Sequence, residues 1–192
     1  VRCYPIGYIS MLDGGKNDEK IIAIPFSDPT AEGPVIQGAN LRALSQGTTT
    51  ARVLEMAAGL QGQVKAPLVF MTYANVVFSY GTERFLSAAA AAGVDGLILP
   101  DVPFEEKEEF AAPCREQGLA LISMVAPTSG PERAAAIARE AEGFLYIVSS
   151  LGVTGQRGQF PPQLRQLAGA VRQASPVPCA IGFGVSSPQQ AA

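Results

Sequence analysis

Short, almost uninterrupted apolar runs of strand length recur along this chain, separated by stretches with helical spacing, and that alternation narrows the fold more than any other feature. The runs are residues 5–10 (PIGYIS), 67–72 (PLVFMT), 96–100 (GLILP), 119–125 (LALISMV), 144–148 (FLYIV) and 178–182 (PCAIG). None alternates apolar with polar, so both faces of each strand are covered, as in the parallel sheets of barrels and doubly wound folds. Helices are predicted between them over 82–92, with Phe85, Leu86 and an alanine run, over the acidic 105–117, over 131–141, and over 162–173, with Leu164, Leu167 and Val171 at core-facing spacing. From Pro67 to Gly182 the pattern repeats about every 25 to 30 residues, close to the ~30 of one βα unit, which favours an α/β chain of the (β/α)8 TIM barrel class over an open sheet. With 192 residues, 47% of them apolar, the chain holds enough material for one sizeable core, taken as a single partial barrel domain over 1–192.

Two places fall short of a complete barrel. Residues 187–192 (SPQQAA) read as the first turn of a helix, whereas closure needs that helix and at least one more strand. Near the other end, the strand at 5–10 leads into a Gly-Gly loop and a predicted helical start at 17–23, which meets Pro25 with no room for a strand. The expectation is a barrel lacking its second strand and its final βα unit.

Composition excludes several classes of function. With 14 Lys+Arg against 17 Asp+Glu, the chain has no field to attract nucleic acid or anionic lipid, and a small metabolite is the better ligand. Histidine is absent, which removes His-based triads and most zinc sites, so no metal is expected and acid–base chemistry falls to carboxylates, Lys or Tyr. Cys3, Cys114 and Cys179 are far apart and odd in number, which fits a reducing cytosol. The apolar runs are shorter than the ~20 residues of a membrane span, and the features of a signal peptide are lacking, so a cytoplasmic protein is expected.

Residues 24–40 (IPFSDPTAEGPVIQGAN) carry the densest chemistry. Pro25, Pro29 and Pro34 fix φ, so Asp28 and Glu32 sit on a stiff loop that ends at a helix N-terminus. On spacing alone, Asp28 capping a turn and Glu32 in solvent is the commoner arrangement. Two glycine-rich turns, 149–155 (SSLGVTG) and 182–186 (GFGVS), follow predicted strands and could aim backbone N–H groups at a phosphate, although tight-turn chemistry explains each alone.

Together with MTYANVVFSYG at 71–81, DGLILPDVPFEE at 95–106, and the two glycine turns, the 24–40 segment resembles the tryptophan synthase α subunit family. That resemblance implies a barrel lyase cleaving indole-3-glycerol phosphate to indole and glyceraldehyde 3-phosphate in tryptophan biosynthesis. The position of Glu32 is normally an Asp that accepts the indole N–H, so Glu32 is the implied catalytic carboxylate, one methylene longer. By family position, Tyr8, Met71, Ile98, Tyr146 and Phe183 line the indole slot with Tyr73 close by. Gly155 and Gly184 serve the phosphate together with a turn beyond Ala192. For each apolar residue alone, ordinary core packing is the commoner role. Asp101 matches an acidic residue that supports the site loops, and it serves equally well as a turn anchor. Asp28 and Pro29 face a β subunit, which brings the pyridoxal phosphate in an expected hetero-tetramer, with no cofactor on this chain.

One departure stands out. The family's other catalytic carboxylate lies four residues before the Pro of PFSDP, where this chain has Ile21. General acid–base help is worth about 10²–10⁴, or about 3–5 kcal/mol, so little cleavage is expected without it. Because residues 20–22 (KII) resemble the middle of the family's first helix, about a dozen residues with the second strand and its Glu are inferred to be absent between Ala23 and Ile24. On that alignment Ile21→Glu restores nothing. Two readings follow: a lyase, or a catalytically inactive barrel fragment or β-subunit-binding module. A third, another phosphate-binding barrel such as an isomerase, lacks a recognisable Lys or Asp catalytic set.

Overall fold

The computed structural model describes residues 6–8, 10–11, 20–148 and 162–182. Its strands are β1 (Ile6–Tyr8), β2 (Ser10–Met11), β3 (Lys20–Ala23), β4 (Leu68–Met71), β5 (Gly96–Ile98), β6 (Ala120–Leu121), β7 (Met124–Val125), β8 (Leu145–Val148) and β9 (Cys179–Gly182). The helices are α1 (Pro34–Ser45), α2 (Thr50–Ala58), α3 (Ala74–Tyr80), α4 (Thr82–Ala91), α5 (Glu108–Glu116), α6 (Pro131–Arg139) and α7 (Pro162–Ala174). They fall into two compact units: β1, β3 to β6 and α1 to α5 belong to the first, β2, β7 to β9, α6 and α7 to the second.

The first unit holds a sheet of order β1-β3-β4-β5-β6, in which β3 to β6 are all parallel. Alternation sorts its side chains. Ile22, Leu68, Phe70, Leu97 and Leu121 join a core with Val53 and Leu54 of α2, Val77 of α3, Phe85 and Leu86 of α4, and Phe110 of α5. Ile21, Val69 and Gly96 are in register with one another, as are Ala23, Met71 and Ile98, and these two rows belong to the opposite face. Both faces are therefore apolar, which explains the unbroken runs in the sequence.

Helix ends in this unit carry one device three times. After α1, α4 and α5 the chain enters left-handed backbone at Gly47, Gly93 and Gly118 (φ 73°, 75° and 73°). At Gly93 the N–H reaches the Ala90 carbonyl at 3.0 Å, and the next N–H reaches Ala89 at 3.1 Å, the Schellman pattern that satisfies the last carbonyls and turns the chain back toward the sheet.

The structure corrects four expectations. Residues 20–23 are a strand, not a helix: β3 registers Lys20 to Ala23 against Leu68 to Met71, and the Ile24 N–H continues the ladder to the Met71 carbonyl at 2.9 Å. No strand is therefore absent between Ala23 and Ile24, and the strand that leads into the PFSDP segment is present with Ile21 on it. The run at 5–10 is not a parallel first strand, because β1 lies antiparallel to β3, with Gly7 opposite Ile21. Eleven residues separate Tyr8 from Lys20, fewer than the dozen or more that a parallel crossover needs. The run at 119–125 divides into β6 and β7, which belong to different sheets. The helix expected over 105–117 is a 3₁₀ turn (Phe104–Glu106) followed by α5, while α2 and α3 were not anticipated.

The second unit holds β2-β9-β8-β7, with β7, β8 and β9 parallel and β2 antiparallel to β9. Helices α6 and α7 pack on each other, and Ile137, Leu145, Ile147, Leu164 and Val171 are buried. Tyr146 is buried on β8, and burial pushes its phenol above the ordinary tyrosine range. Its ring fills the space that a Cβ on Gly182 would need. Gly182→Ala should therefore cost about 1–3 kcal/mol in urea unfolding by forcing the ring out of place. The same change should cost markedly less when made on Tyr146→Ala, and simple additivity in that double-mutant cycle would disprove the clash.

Candidate active site

The site is built in the first unit at the C-terminal ends of β3 and β4, the edge where parallel α/β sheets carry their chemistry. Leaving β3, the chain places the Phe26 ring 5.3 Å from that of Tyr73, which follows β4. Exposed Asp28 accepts a hydrogen bond from the Ser27 hydroxyl. The Ala31 N–H then donates to the Tyr73 hydroxyl at 3.1 Å, so the proline-stiffened loop is bonded back onto the neighbouring strand end.

Glu32 stands where this loop enters α1, whose N-cap is Gly33 and whose first residue is Pro34. Gln37 Nε2 donates to the Glu32 backbone carbonyl at 2.8 Å, and Asn40 Nδ2 donates to carboxylate Oε2 at 2.5 Å. Tyr73 is the second side chain hydrogen-bonded to that carboxylate, so its hydroxyl accepts from Ala31 and donates to Glu32. Burial raises the Glu32 carboxyl above its ordinary 4.5, and the bonds from Asn40 and Tyr73 pull it partly back. Burial also pushes the Tyr73 phenol up to about 12; the Ala31 N–H opposes this, and the charges of Glu32 and Asp101 add to it. Tyr73 is thus a neutral donor at neutral pH.

Asp101 holds the arrangement from a third element. Both its oxygens lie 3.1 Å from the N–H of Ala74, the first residue of α3, whose N-cap Tyr73 offers no side-chain cap of its own. The turn-anchor and loop-support readings of Asp101 thus coincide, since the turn it anchors positions Tyr73.

The structure brings Glu32, Tyr73 and Asp101 together and sets half-buried Met71 beside fully buried Ile98 in one row of the sheet. Tyr8 is placed by its backbone, opposite Lys20 in β1. Tyr146 belongs to the second unit. Gly155, Phe183 and Gly184 lie outside the described residues, as do the turn at 149–155 and the expected convergence of these glycines. Sequence reasoning missed Asn40 and Phe26. Asn40 had a signal, being a poor helix former between good ones, but only its burial identifies it as a partner. The Lys107 ammonium lies 4.4 Å from the centre of the Phe104 ring.

The raised Glu32 carboxyl makes stability depend on pH. Its folded-state pKa exceeds the unfolded value, so the folded chain binds more protons in the window just above pH 4.5, and stability should fall as pH rises through it. Urea midpoints of the chain and of Glu32→Gln across that window should converge at low pH and separate above it; parallel curves would contradict this.

Among the described residues, no group of three His, Cys, Asp or Glu could hold a metal ion, and no helix is long and apolar enough to cross a membrane. The family profile described as "Tryptophan synthase alpha chain" matches residues 6–192. A tryptophan synthase alpha chain from Shouchella clausii is 50% identical over 170 residues, covering 88% of this chain and 63% of the relative. One from Microcystis aeruginosa is 44% identical over 183 residues, covering 95% and 69%. The chain thus spans under two thirds of the first relative's length and slightly more of the second's. A mutant tryptophan synthase alpha-subunit from Pyrococcus furiosus superposes with TM-score 0.80 at 33% identity, over 89% of this chain and 68% of that one. A chain from a structure of the α2β2 complex of the same hyperthermophile gives 0.82 at 34%, over 89% and 69%. The α/β fold shared with these subunits agrees with the barrel class expected from the repeat.

Proposed function

Because the chain belongs to the tryptophan synthase alpha chain family, we propose that it is an alpha-type protein of tryptophan biosynthesis, acting in the cytoplasm on indole-3-glycerol phosphate. The observation that carries this reading is the half-buried Glu32 carboxylate, held by Asn40 and Tyr73 at the ends of the parallel strands. A carboxylate so placed can accept the N–H of an indole ring, draw electron density through it, and favour protonation at C3 as the bond to the glycerol phosphate side chain breaks. The Met71–Ile98 row offers the ring an apolar surface. By their family positions, Tyr8, Tyr73, Tyr146, Gly155, Phe183 and Gly184 are proposed as further substrate-binding residues. Exposed Asp28 and adjoining Pro29 are proposed to face a β subunit, to which the pyridoxal phosphate chemistry belongs.

A second reading is favoured by one observation. Ile21, at the position of the family's other catalytic carboxylate, is buried on β3 and transfers no proton. The chain would then hold indole-type ligands and a β subunit without cleaving substrate. Calorimetric titration with a non-cleavable indol-3-yl alkyl phosphate tests what the two readings share. Binding is expected, weakened at least about tenfold by Glu32→Ala. No binding, or binding indifferent to Glu32→Ala, would overturn the proposed site.

A further inference from the structure

We propose that Asn40 is a positioning residue for Glu32: the amide of this buried α1 residue holds carboxylate Oε2, fixing the direction in which the longer acidic side chain presents its remaining lone pairs to a ligand. The inference rests on reading Glu32 as the ligand-facing carboxylate and goes beyond it, since Asn40 itself need not touch ligand.

Three observations converge on Asn40. It is 6% exposed and the only buried residue of α1, whose apolar Val35 and Leu41 are 71% and 61% exposed. That helix therefore turns a polar group inward where packing alone would choose an apolar one. A buried amide is costly without a partner, and here the partner is Glu32, at 2.5 Å. Glu32 is also tied through its backbone, by Gln37 one turn earlier in α1, so the same helix grips both ends of the residue. Glutamate has one more rotatable bond than aspartate, and the amide removes that freedom, because an Oε2 anchored to α1 leaves the carboxylate plane few orientations.

The ionisable groups around the pair are Tyr73, bonded to the carboxylate, and Asp101, whose charge reaches Tyr73. In the unaltered chain, the Asn40 side-chain amide protons and the Glu32 carboxyl carbon, followed by NMR, should titrate with one shared midpoint. Asn40→Asp keeps the shape but loses the donor, so it should move the Glu32 midpoint upward and weaken the indol-3-yl alkyl phosphate about tenfold. Asn40→Gln and Glu32→Asp, each disruptive alone, should restore both readouts when combined, because the added methylene of one replaces the methylene lost from the other. A merely structural asparagine predicts no such rescue. Separate midpoints in the unaltered chain, or a midpoint unmoved in folded Asn40→Asp, would overturn the proposal. Failure of the unaltered chain to bind the phosphate would count against the functional reading alone, and the shared midpoint would still decide the role of Asn40.

Discussion

Replacing Ile21 with glutamate is expected to raise indole-3-glycerol phosphate cleavage by about 10²–10⁴-fold over the unaltered chain, while costing about 2–5 kcal/mol of stability. The rate expectation reverses the one drawn from sequence, because β3 is a strand and residue 21 has Gly7 and Val69 as its sheet neighbours. A side chain there is on the face turned away from the helix-packed core and stands among apolar groups. Burial there would favour the neutral carboxylic acid, the form able to donate a proton near neutral pH. The stability cost arises from the same burial, since an isoleucine that is 5% exposed gives up its apolar contacts to a polar group. Ile21→Gln separates the two effects: it should share the stability loss and gain no rate. Single-turnover indole release with protein in excess is the measurement. A folded Ile21→Glu chain that cleaves no faster than Ile21→Gln would leave the second reading, binding without chemistry, as the better one.

The largest loss of stability from a single truncation is expected at Phe85. Its side chain is fully buried on α4, with the Phe70 ring 6.3 Å away and the Tyr80 ring edge-on at 6.1 Å, so it joins the helix layer to the centre of the sheet. Phe85→Ala removes that contact and leaves a cavity between two rigid layers, costing about 3–5 kcal/mol, a large part of the ~5–15 kcal/mol that holds a typical domain folded. Leu41→Ala, at a residue 61% exposed on α1, should change the urea midpoint hardly at all. A Phe85→Ala loss below about 1 kcal/mol would show that this layer is less tightly joined than its burial implies.

The strands at β4, β5, β8 and β9 were legible because each is a continuous apolar run between turn residues, α4 and α7 because they carry apolar residues at core-facing positions, and α6 because it follows a Ser-Gly start. The four residues of β3 carried no such signal. An apolar triplet preceded by Asp18, Glu19 and Lys20 reads equally well as the start of a helix, and only pairing with β4 decides it. Helix α2 did announce itself, since Thr49 accepts the Arg52 N–H as an N-cap, and that sign went unread. Helix α3 could not have been found locally: its β-branched and aromatic residues suit a strand, and its cap, Asp101, is 27 positions away. The site divides the same way. Glu32 and Tyr73 were identified from motifs, whereas Asn40 acquires its meaning only when α1 turns it back onto the loop.

Three of the positive-φ glycines among the described residues mark off equal lengths of chain. Gly93, Gly118 and Gly143 stand 25 residues apart, each two or three residues ahead of a strand. Such spacing makes the repeat a quantum for insertion and deletion over evolutionary time. Gain or loss of a whole quantum would return the backbone to the sheet in the same direction and phase, whereas a fraction of one would reach the neighbouring strand too soon to cross over. The eleven residues ahead of β3 are such a fraction, and the strand they join to β3 runs the other way. Lineages with this architecture should therefore tolerate length changes in steps of about one repeat far better than in odd increments.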